Sequence, residues 1–193
     1  SWDGVYTALY QVNSLIVALD KLAASQSRNE ILGVASFFRG LIYYHLVSRY
    51  GEVPILEAPF SGDIAASTEE EGWSFVEKNF QVAIDYAPTF SDKYYVSKQA
   101  AKALMARTKL AQGKLTEAAK LAEEVIGDAN FSLADFDQIF RGKANREEIF
   151  SFVNLLNESS VNLSASLYSR ASANGGSYTY APTTKVMNMF EPD

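Results

Sequence analysis

RNEILGVASFFRGLIYYHLVSRYGEVP, residues 28–54, decides the fold. Ile31, Val34, Phe38, Leu41, Ile42 and His45 recur at three- and four-residue steps and make one helical stripe. Leu32, Phe37, Tyr43, Tyr44 and Val47 cover much of the remaining surface. Charge appears only at Arg28, Glu30, Arg39 and Arg49. A helix that is apolar nearly all round is a buried central helix. Gly51 suits the position just past its end, and Pro54 cannot continue it.

Outward from this stretch the helical period continues in both directions. Val5, Leu9, Val12, Ile16, Leu19 and Leu22 predict a helix over residues 3–24. After residue 54 a loop containing Pro59 and Gly62 runs to about Ser67. Thr68 and Glu71 have the capping-box spacing. The helix they open carries Trp73, Val76, Phe80, Ala83, Ile84 and Ala87 on one face, and Pro88 ends it. Ser97 predicts the cap of a fourth helix that Gly113 breaks, and a fifth runs from about Thr116 to Ile126. Alanines at 100, 101, 103, 106 and 111 pave the fourth, and alanines at 118, 119 and 122 pave the fifth. Small residues let two antiparallel helices approach closely. This alanine, leucine and glycine spacing is that of a tetratricopeptide-type hairpin.

The expected architecture is therefore all-α, an irregular stack of tetratricopeptide-like hairpins over residues 1–153, with a long C-terminal loop region. Phe131, Leu133, Phe136 and Phe140 predict a turn-rich segment with a one-turn helix, and Glu148 to Val153 is a candidate for one short strand. Residues 154–182 are rich in Asn, Ser, Gly and Tyr without helical period, and a short helix is expected at Thr184 to Phe190. Long loops in compact domains are usually functional or mobile.

Composition excludes several functions. The net charge of −6 over 193 residues, with no local basic cluster, disfavours phosphate backbones. Without cysteine there is no thiol catalysis, thiolate metal site or disulfide. No run reaches 18 consecutive apolar residues, so no membrane span is expected. A lone histidine, His45, supports neither a triad nor a multi-histidine metal site, and its stripe predicts a core or partner-facing role. The pairs at Glu69–Glu71, Glu123–Glu124 and Glu147–Glu148 are adjacent in sequence, whereas glycoside hydrolysis needs two carboxyls facing across a cleft. No cofactor or metal is expected, and the chain is read as a non-enzyme. Arg39 and Arg49, on an otherwise apolar helix, predict an ion pair between helices or a docking role.

Five stretches now line up in register with one family. Residues 28–54 resemble the hallmark helix and turn of SusD/RagB proteins. "SKxAAxALxAR" at 97–107 resembles their second signature, on a tetratricopeptide-like helix, and "NxEEIF" at 145–150 a third. Pro182-Thr183 and Phe190-Glu191 resemble the start of the family's second half, and Trp2, Tyr6 and Asn13 fit its opening helix. The resemblance implies an outer-membrane lipoprotein on the extracellular face that captures oligosaccharide or polysaccharide and passes it to a SusC-like TonB-dependent transporter. It also implies a longer protein, so residues 154–193 are expected to lead into a further half.

Within the polar loop, Tyr168, Arg170, Asn174, Tyr178 and Tyr180 are the candidate ligand-binding residues. Aromatic rings match the apolar CH faces of sugars, and amide and guanidinium groups match their hydroxyls. Trp2 and Trp73 are expected in the core. The competing reading is a tetratricopeptide-like scaffold that binds the transporter or a peptide and has no sugar site of its own.

Overall fold

The computed structural model describes residues 2–139, 145–153, 177 and 180–189. The chain divides into two compact units, Ser1–Ser151 and Phe152–Asp193. The first holds α1 (Trp2–Leu19), α2 (Gln26–Tyr50), α3 (Glu69–Tyr86), α4 (Lys98–Ala111), α5 (Leu115–Ile126) and the one-turn α6 (Phe136–Ile139). Each of the first four packs on the next in sequence, and α2 also touches α4. The second unit contains α7 (Thr184–Met187), opened by the Thr183 hydroxyl accepting from Val186 N–H.

Local chemistry sets the helix ends. Ser25 and Ser97 accept from the amides of Arg28 and Ala100. Thr68 and Glu71 form a reciprocal capping box. Gly51 sits past the end of α2 at φ 69°, where a side chain would be strained, and returns its N–H to Val47.

Two glycines let α2 and α3 approach closely. A Cβ on Gly33 would lie 2.3 Å from the Ala87 nitrogen, and one on Gly40 would lie 2.9 Å from the Phe80 ring. From the other side, a Cβ on Gly72 would meet Val47 at 2.7 Å. Phe37, Tyr43, Leu46, Val47, Trp73, Val76, Phe80 and Ala83 fill the seam as its core. Dispersion at such contact adds up over many atoms.

The face of α2 that is most deeply buried is not the stripe that periodicity selects. It runs through Gly33, Ser36, Phe37, Gly40, Tyr43 and Val47, whereas Ile31 and His45 are exposed. The core reading of His45 is thereby corrected. α2 is long and apolar enough by composition to cross a membrane, and half of its most apolar stretch is buried in the bundle. Leu22, read as part of the first helix, lies beyond its end and is exposed.

The expected strand is absent among the described residues. Glu148 to Val153 makes no ladder, and its Ser151 N–H bonds the Lys93 carbonyl instead. The sole bridge pair described joins Val53 and Ser67 across the loop after α2.

Candidate functional site

Of the five loop residues that sequence selects, the described residues include Tyr180, which is 66% exposed. Tyr168, Arg170, Asn174 and Tyr178 lie outside the described residues. Tyr180 sits three residues before the Thr183 cap of α7 and presents its ring to solvent. The side chain of Trp2 also lies outside the description, whereas Trp73 is buried and donates from Nε1 to Glu69.

The 28–54 stretch turns out to hold the adjoining loop in place. Arg39, only 7% exposed, donates from Nε to Asn79 Oδ1 at 2.6 Å and from Nη1 to Asn13 Oδ1 and the Glu57 carbonyl at 3.3 Å each. Its guanidinium also lies 5.3 Å from the Phe75 ring centroid. One side chain thus joins α1, α2, α3 and the loop after α2. The expected ion pair is corrected for both arginines. Among the described residues no carboxylate pairs with Arg39; neutral amide and carbonyl oxygens accept its hydrogen bonds, and Arg49 is exposed. Burial lowers the Arg39 pKa, and the Glu57 charge partly offsets this.

Tyr43 fixes the same loop. Its hydroxyl accepts from Leu56 N–H at 2.7 Å and donates to the Pro54 carbonyl at 3.1 Å. Burial holds the phenol well above its ordinary pKa, so it stays a neutral donor. Tyr6 from α1 donates to the same Pro54 carbonyl at 3.3 Å, and Asn13 Nδ2 donates to Leu56 O at 2.8 Å. Sequence reading missed this role. The available signal was the polar residues Asn13, Arg39 and Asn79 standing inside apolar periods.

Several of the carboxylates have structural partners. Glu71 closes the capping box, Glu147 accepts from Ala134 N–H, and Glu148 pairs with Lys93 and Asn145. Glu77 takes Lys109, Lys114 and Gln112 together, each within 2.8 Å. Burial pushes the Glu77 carboxyl up, and these three donors overcome it and hold it below its ordinary value. Partial burial, then the charges of Arg49 and Arg107, hold His45 below its ordinary value. No group of three or more metal-ligating side chains occurs among the described residues.

Comparison with known proteins decides the family. Residues 1–110, more than half of the chain, match a SusD-like family described as starch-binding and associating with the outer membrane. The chain belongs to this SusD-like family. A SusD-like protein, P2, of Formosa agariphila is 27% identical over 150 residues, which cover 72% of this chain and 30% of that one. A SusD superfamily structure from Bacteroides vulgatus superposes with a TM-score of 0.80 at 23% identity, covering 96% of this chain and 42% of its own. A laminarin-binding SusD-like protein superposes at 0.66 with 24% identity, covering 72% and 33%. The SusD-like chain thus spans less than half the length of each of these relatives.

Proposed function

We propose that this chain belongs to a protein that captures glycan at the extracellular face of a bacterial outer membrane, without catalysis, and delivers it to a SusC-like TonB-dependent transporter. The family match over residues 1–110 carries this reading. The laminarin-binding relative supports glycan as the ligand class. The sugar contacts are assigned to Tyr168, Arg170, Asn174, Tyr178 and Tyr180, of which Tyr180 supports the reading by its exposure.

Titration of the chain with plant and algal polysaccharides, beside a Tyr178→Ala, Tyr180→Ala variant, tests this. Weaker binding by the variant is the expected result. A folded chain that binds no glycan overturns direct capture by this segment. A second reading is a scaffold that docks a protein partner. Exposed apolar side chains on and after α5, namely Leu115, Ile126, Leu133 and Phe136, favour it. Co-purification with the transporter in the absence of glycan is its expected signature.

A further inference from the structure

The loop after α2 does not lie flat on α1. Between them opens a cleft of about 220 Å³. Tyr6 and Tyr10 form the α1 wall, Pro59, Phe60 and Ile64 the loop wall, and Asn13 lies at the base. We propose that this cleft is a subsite for a single neutral pyranose ring. The proposal rests on the glycan reading and adds a second contact to it.

Three properties point to this ligand class. First, the walls are aromatic and open. Tyr10 is 51% exposed and Phe60 49%, although both carry large apolar faces. Sugar CH faces stack on such rings, and the open side leaves hydroxyls in water. Second, the lining is neutral. The net charge is −6, yet none of the described residues lining the cleft is charged. An ionic ligand here would lose hydration and gain no counter-charge. Third, the volume lies below the roughly 300–1,000 Å³ of sites for larger ligands, which suits one ring and not an enclosed oligosaccharide.

The walls are also preorganised. Tyr6 is tethered through its hydroxyl to the Pro54 carbonyl. Asn13 Nδ2 ties α1 to Leu56 O, and Arg39 ties the loop at the Glu57 carbonyl to the core. Phe60 lies against Gly62, where a Cβ would come within 3.2 Å of the ring tip. The Tyr6 ring, held before binding, loses little conformational freedom on binding.

The test is calorimetric titration of the whole chain with laminari- and xylogluco-oligosaccharides and with glucose. Wild type is compared with Tyr10→Ala, Phe60→Ala and Ile64→Glu. Each substitution is at an exposed position. The first two remove a ring, and the third puts a charge in the cleft if loss of a ring disturbs folding. We expect each folded variant to bind about tenfold more weakly, the scale of one aromatic contact. Wild-type affinity in all folded variants overturns the subsite and leaves glycan capture standing. A folded wild type that binds none of these sugars overturns both.

Discussion

The α2–α3 seam and the α3–α4–α5 groove are built from the same kind of helix and held by different forces. Along the first, glycines at 33, 40 and 72 bring backbone and rings into contact, and Phe37, Val76 and Phe80 are fully buried. Along the second, alanines set the spacing, and charge holds the mouth. Lys109 lies 2.8 Å from both Glu77 and Glu117, and Lys102 pairs with Glu124 at 2.7 Å. The difference teaches that shape secures the centre and electrostatics secures the rim. The centre should ignore salt and acid, while the rim should respond to both.

Breaking the seam should have the largest effect. Gly33→Ala drives a methyl into the Ala87 backbone, which has no flexible end to yield. A loss of about 3 kcal/mol is expected, at the upper end for overpacking, read from denaturant midpoints at unchanged slope. Loss below about 0.5 kcal/mol would show that the two helices part freely.

Arg39→Leu comes next. It keeps apolar volume but leaves Asn79 Oδ1, Asn13 Oδ1 and the Glu57 carbonyl without this donor. About 2 kcal/mol should be lost, the cost of stranding buried acceptors. Hydrogen exchange should speed up at Leu56, whose N–H donates to the Tyr43 hydroxyl in the loop that Arg39 ties down.

At the rim, Glu77→Gln should cost about 1 kcal/mol at low salt and less at high salt. The sign with pH follows from the depressed carboxyl. Its contribution is present above its ordinary value of 4.5 and is lost as pH falls through the lower folded value. The wild-type and Glu77→Gln stability curves should therefore converge in acid. Curves that stay parallel would remove Glu77 from the account. Lys102→Ala, breaking a partly exposed pair, should change stability by less than about 0.5 kcal/mol.

How much of this was legible depends on range in sequence. Thr68 with Glu71 and Ser97 act on amides three residues away, so their caps were readable from spacing. Gly51 and Gly113 were readable as breaks, and both have positive φ. Leu22 misled because periodicity does not show where the turn falls; α1 ends at Leu19, whose carbonyl accepts from Arg28 Nε of α2. His45 misled because a nearly all-apolar helix has no unique stripe, and its glycines, not its largest side chains, mark the closest contact. The candidate strand failed because a strand needs a partner from elsewhere in the chain. Among the candidate site residues only Tyr180 belongs to the described set, so its exposure is what the structure adds there.

The sequence by itself determined the helices, most of their caps and the family, because these rest on local backbone chemistry and on motifs in register. Tertiary structure alone decided which face of α2 is buried, that Arg39 bonds amides instead of a carboxylate, and that Tyr10 and Phe60 share a cleft. Those outcomes depend on residues 25 to 54 positions apart meeting in space, and no local period encodes that meeting.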